Sequence, residues 1–134
     1  MKIPSTILVL VMLAFGCATK VYRPLPALAD PNEYAEVIII RNKAFSGSAL
    51  GIGIQIDGYK VASLSVGHHL RAKVNPGQRS VGTMSGSITL KLESKQTYYF
   101  LTGLGISGDQ NIERLDESDA KKWVSKSKEV LLNQ

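Results

Sequence analysis

From Glu36 onward the apolar positions recur mostly at every second residue, and turn-forming residues interrupt them every eight to twelve positions. Val37, Ile38, Ile39 and Ile40 form an unbroken β-branched run, which fits a strand covered on both faces. Ile52, Ile54 and Ile56 alternate with Gly51, Gly53 and Gln55. Asp57-Gly58 then predicts a tight hairpin into a strand over 60–66, because such a turn needs residues that accept positive φ. The following strand, His68 to Val74, places His68, Leu70, Ala72 and Val74 on one face and His69, Arg71 and Lys73 on the other. Asn75-Pro76-Gly77 predicts a turn, with proline presetting φ and glycine accepting the left-handed region. Further strands are expected over 78–84, at the alternating Ile88, Leu90 and Leu92, and over 97–104 after the polar Ser94-Lys95-Gln96.

About seven short strands joined by hairpin turns predict a mainly β protein, a small antiparallel β-sandwich, and argue against alternating βαβ units. Only the tail departs from period two. Asp116 or Ser118 can cap a helix over 117–132, with Glu117 and Asp119 in its first turn and Lys126 and Lys128 further along, as the helix dipole favours. Trp123, Val130 and Leu131 are its expected contacts with the sheet.

The start of the chain carries a different pattern. Lys2 precedes an apolar run from Ile7 to Phe15, and Gly16 and Cys17 follow at once, the layout of an export signal. That run is too short for a membrane span, which takes about 20 apolar residues. Leu13-Ala14-Phe15-Gly16-Cys17 resembles the lipobox of bacterial lipoproteins. The resemblance implies that residues 1–16 are a signal peptide and that Cys17 carries a lipid anchoring the protein to a membrane. Ala18, in place of the aspartate that marks inner-membrane retention in enteric-type lipoproteins, implies an outer-membrane address facing the periplasm. Residues 17–34 contain Pro24, Pro26 and Pro31 without hydrophobic periodicity, so they are expected to form an extended tether ahead of a domain over 35–134.

A second resemblance rests on Ser46-Gly47-Ser48, Ile56-Asp57-Gly58, Val61, Leu64, Gly67, Val74-Asn75-Pro76-Gly77 and Thr97-Tyr98-Tyr99. In this order they resemble a bacterial domain family of unknown function found largely in lipoproteins, similar in layout to the prealbumin-like sandwiches of carboxypeptidase regulatory domains. Gln78-Arg79 departs from the basic residue followed by His or Tyr that is more usual there. The resemblance implies a non-enzymatic envelope module and supplies no catalytic residues.

Composition narrows the chemistry. The chain has 134 residues, 44% of them hydrophobic, which is enough for one domain with a real core, and its single cysteine excludes a disulfide-stapled scaffold. His68 and His69 are the only histidines; being adjacent on a strand they point to opposite faces and cannot chelate one metal, and Arg71 and Lys73 would repel a cation. Gly47, Gly51 and Gly53 run into a strand and not into a helix, contrary to a phosphate-binding loop. No Gly-x-Ser-x-Gly elbow is present, and Asp109, Glu113, Asp116, Glu117 and Asp119 read as a solvated, helix-capping loop. No cofactor is expected. The charge of +5 invites a nucleic-acid reading, but an exported protein points instead to anionic headgroups or envelope glycans.

The leading expectation is a non-catalytic binding or structural module whose partner is an envelope protein or glycan. His69, Arg71, Lys73 and Arg79 are its candidate interaction surface, and an open edge at Val37–Ile40 is a second candidate. An inhibitor or immunity-type protein blocking an envelope enzyme is the alternative. A hydrolase using His69 and the acidic loop requires those groups to converge in a cleft.

Overall fold

The structure, a computed structural model, describes residues 19–42, 50–105 and 107–132. The signal segment 1–16, Cys17 and Ser46-Gly47-Ser48 lie outside the described residues. Among the described residues, ten strands and one helix follow in chain order: β1 (Lys20–Val21), β2 (Ala35–Arg41), β3 (Ile52–Ile56), β4 (Tyr59–Leu64), β5 (His68–Val74), β6 (Gly77–Gly82), β7 (Ser87–Leu92), β8 (Thr97–Leu104), β9 (Gln110–Leu115), α1 (Glu117–Val124) and β10 (Lys128–Leu131). They form two five-stranded sheets, ordered β1-β4-β3-β6-β7 and β10-β5-β2-β8-β9. The protein is a small, mainly β sandwich with a helix near its C-terminus.

Between the sheets lies the main core, with Val37, Ile39, Leu70, Ala72 and Phe100 from the second sheet facing Ile52, Ile54, Leu64, Val81 and Leu92 from the first. The continuous run of β2 is apolar on both faces for a reason visible in the packing. Ile38 and Ile40 point away from the main core into a second cluster with Leu101, Ala120 and Trp123, where α1 covers the sheet. The Tyr98-Tyr99 pair divides in the same way: Tyr98 joins the main core and Tyr99 packs against the second cluster. Arg41 closes one end of the sandwich. It is 3% exposed, and its Nη1 donates to the Leu50 carbonyl and, at 2.8 Å, to that of Leu64.

The β3–β4 hairpin turns through Asp57 (φ 52°) and Gly58 (φ 82°), the two left-handed residues a primed turn demands. Asp57 also ties the tip to β6, accepting from the Ser80 amide at 3.0 Å.

Four sequence expectations need correction. The sandwich is not purely antiparallel, because β2 pairs parallel with β8 and β10 parallel with β5. The chain runs from β9 at one edge of the second sheet, over its outer face as α1, to β10 at the opposite edge; parallel strands require a crossover of this kind. Second, the helix ends at Val124, where Ser125 caps it and the Ser127 hydroxyl lies 3.0 Å from the Trp123 carbonyl and 3.2 Å from that of Val124. Lys121 and Lys122, not Lys126 and Lys128, therefore occupy its last turn. Third, β2 is no edge: it is paired on both sides, by β5 and β8, which removes Val37–Ile40 as a docking edge. Fourth, the proline-containing stretch is extended but does not stand off as a tether. β1 pairs with β4, Leu25 is 6% exposed within the main core, and Asn75 clamps the backbone by accepting from the Ala29 amide (2.8 Å) and donating to the Ala27 carbonyl (3.1 Å). Leu25 has enough apolar area to hold the segment down.

Candidate interaction surfaces

His69, Arg71 and Lys73 share the outer face of β5, as the alternation predicts, but their environments differ. His69 is 3% exposed; its Nδ1 lies 2.7 Å from Ser127 Oγ and its Nε2 3.4 Å from Glu129 Oε1. Arg71 bridges two carboxylates from neighbouring strands, donating through Nε to Glu129 at 2.5 Å and through Nη1 to Glu36. Burial opposes the charge on Arg71, but hydrogen bonds and attraction from Glu129 and Glu36 outweigh it and raise the guanidinium pKa. In return, the hydrogen bond from Arg71 is the main cause that holds the Glu129 carboxyl below its ordinary range. Lys73 lies exposed, its Nζ 4.9 Å from the centre of the Tyr34 ring.

Ser127, His69 and Glu129 have the residue types of a hydrolytic triad. Their arrangement does not support that chemistry. The Ser127 hydroxyl caps the end of α1 through backbone carbonyls, and a ring 3% exposed offers a substrate atom no approach. The carboxylate at His69 comes from β10, whereas the acidic residues before the helix are used elsewhere. Asp116 is the N-cap of α1, accepting from the Asp119 amide at 2.9 Å, and Glu117 pairs with Lys121 at 3.4 Å. Residues 110–115, expected as part of a loop, form the edge strand β9. Among the described residues no three His, Cys, Asp or Glu side chains come together as ligands for a metal.

Arg79 belongs to the other sheet and does not join the β5 residues. Its guanidinium fastens the Pro-Gly turn, with Nε donating to the Asn75 carbonyl (3.0 Å), Nη2 to that of Pro76 (3.3 Å) and Nη1 to Asp57 Oδ2 (3.4 Å). Gly77 permits this turn with φ 118°. The candidate surface read from the sequence thus separates into His69 and Arg71 bonded to carboxylates from β2 and β10, an exposed Lys73, and a structural clamp on β6.

A concave surface lies beside Arg79. Pro24, Leu25 and Pro26, strapped along the first sheet, leave a groove of about 430 Å³ lined with Arg23, Ile56, Asp57, Tyr59 and Val61. It adjoins a smaller cavity of about 130 Å³ that reaches Val74, Asn75 and Arg79. The walls are mostly apolar with charged groups at the rim, a composition that suits binding. At its outer end, Arg23 stacks over Tyr59 (4.7 Å to the ring centre) and Lys60 over Tyr22 (4.9 Å). Neither the groove nor these pairs can be foreseen from the sequence, because they depend on the proline segment folding back onto β4. The basic and aromatic residues of 20–23 were the available signal.

His68, on the opposite side of β5 from His69, is where this segment begins to dock. Its Nδ1 lies 2.5 Å from Thr19 Oγ1, and burial, then the positive charges of Lys128 and His69, lower its pKa.

Comparison with protein-family models, with curated proteins and with solved structures finds no match to this chain.

Proposed function

We propose that the protein is a lipid-anchored, non-catalytic module of a bacterial cell envelope, exported by residues 1–16 and held on the periplasmic side of the outer membrane through Cys17. The observation that carries this reading is positional. The chain's single cysteine directly follows the apolar run and small residue of a lipobox-like segment. The resemblance to the lipoprotein domain family points the same way, through turns at Asp57-Gly58 and Asn75-Pro76-Gly77 and through the closing Tyr98-Tyr99 strand. The working surface is the apolar groove beside Leu25, which takes an extended segment of an envelope partner more readily than it supports bond-making chemistry. Of the charged groups that line it, Asp57 is engaged with Arg79 and Arg23 is stacked on Tyr59.

Intact mass and membrane partitioning of the natively expressed protein, beside Cys17→Ser, test the reading. Loss of residues 1–16, added acyl mass and membrane retention in the parent but not the variant are expected. A mature form without lipid mass, recovered in the soluble fraction, would overturn it.

A further inference from the structure

A lipid on Cys17 has a geometric consequence once the proline segment is seen to be docked. Thr19 is already bonded to the fold: its Oγ1 accepts from the Ser65 amide at 3.1 Å and contacts His68. Lys20 and Val21 then pair with Ser63 and Ala62, and the Tyr22 amide donates to the Val61 carbonyl at 2.9 Å. Only Ala18 separates Cys17 from Thr19, and the two steps from one Cα to the other span at most about 7 Å even when fully extended. No free spacer remains to hold the domain away from the membrane. On the reading proposed above, the edge of the first sheet at β1 must lie close to the headgroups.

The residues at that edge have the composition of an interfacial surface. Lys20, Arg23 and Lys60 are exposed, and Asp57, the carboxylate that lines the groove with Arg23, is paired with Arg79. Among them stand three exposed apolar side chains, Val21 (47%), Tyr22 (54%) and Tyr59 (59%). The stacked pairs Arg23–Tyr59 and Lys60–Tyr22 tie residues 22 and 23 to the start of β4 and flank the sheet edge on its two faces. Tyrosine favours the headgroup layer, where the ring is half-solvated, and basic side chains beside it are drawn to anionic lipid. Other exposed cations, such as Lys95 at Glu33 and Lys121 at Glu117, sit beside carboxylates.

We infer that the exposed edge formed by β1, Arg23 and the start of β4 is a docking surface for an anionic lipid bilayer, setting the domain flush on the membrane in one orientation. This rests on the proposed anchor for the position of the bilayer. The surface itself is testable without the anchor, since every residue named in it lies between Thr19 and Leu64.

The chain from Ala18 onward is mixed with sedimentable vesicles of phosphatidylglycerol and phosphatidylcholine, or of phosphatidylcholine alone. Co-sedimentation with the anionic vesicles only, reversed by salt, is expected. Lys20→Gln with Lys60→Gln is expected to weaken binding roughly fivefold per cation removed. Lys95→Gln with Lys121→Gln, at sites also largely exposed, is expected to change it less than about twofold. Urea unfolding of each variant verifies that the fold persists. Equal loss in the two pairs overturns the proposal, as does absence of vesicle selectivity or retention on a polyanionic glycan without vesicle binding. Vesicle binding alongside an unmodified Cys17 in cells supports the surface and removes the anchor. Lipid mass on Cys17 without vesicle selectivity overturns the surface alone.

Discussion

The Thr19 hydroxyl sits 2.5 Å from Nδ1 of His68, joining the first described residue to the start of β5. Because that hydroxyl oxygen accepts from the Ser65 amide, its own proton is free to be donated to Nδ1, an arrangement that takes a neutral imidazole protonated at Nε2. Burial, Lys128 and His69 all act against the imidazolium, so the folded pKa lies below the ordinary value. Between that lowered value and the ordinary imidazole range near ~6.5, the unfolded chain holds more protons than the folded one, and stability falls as pH falls. Urea unfolding midpoints should therefore drop as pH is lowered from about 7.5 through ~6.5, and His68→Gln should flatten that part of the profile. An unchanged slope in the variant would remove His68 as its source.

Arg71 is the common partner of Glu36 and Glu129, which arrive from β2 and β10 on either side of it. Replacing Arg71 with Gln should return the Glu129 carboxyl toward the ordinary glutamate range, because the largest influence lowering its pKa is the bond from Arg71. Carboxyl titration followed by NMR reads this directly. The stability loss at neutral pH should be modest, up to about 1 kcal/mol, since Glu129 remains partly in solvent. A Glu129 titration unmoved by the change would mean that the ion pair does not persist in solution.

Gly82 is required by close approach and not by an unusual φ. A Cβ there would come within 2.6 Å of Ser87 Cβ and meet the Gly86 carbonyl, at the point where β6 turns toward β7. Backbone cannot swing aside as a flexible side chain can, so Gly82→Ala should cost about 1–3 kcal/mol in unfolding free energy, as overpacking does. Gly86→Ala, with open space around its Cβ position, serves as the neighbouring control. Equal effects at the two glycines would refute the steric account.

Local chemistry made much of this architecture legible. The Asp57-Gly58 turn, the alternation of His68–Val74 and the span Thr97–Leu104 were each readable because a single strand and its turn carry their own signal. What escaped depends on distant partners. β10 contains Val130, packed toward the core, and an exposed Leu131, a pattern too short to distinguish from the end of a helix until β5 offers an open edge. The two-residue β1 has no periodicity at all. The outward side of β5 was visible as a face, but not the arrival of Glu129 and Glu36 that neutralises Arg71, nor the assignment of Arg79 to a different sheet.

Leu25 decides whether the proline segment is a spacer or a part of the domain. A spacer residue contributes nothing to unfolding, whereas Leu25 is 6% exposed and lies in the main core beside Ile56 and Val61. Truncating a buried leucine removes its transfer free energy and leaves a cavity that relaxes only partly, so Leu25→Ala should lower stability by about 2–3 kcal/mol. The neighbouring Pro24, exposed at the rim, should tolerate replacement with Ala far better. Faster amide exchange at Ala29 in Leu25→Ala would further show the clamp to Asn75 opening once its apolar support is gone, because that amide donates to Asn75 Oδ1. A loss below about 0.5 kcal/mol, the scale of surface substitutions, would return the segment to the status of a tether.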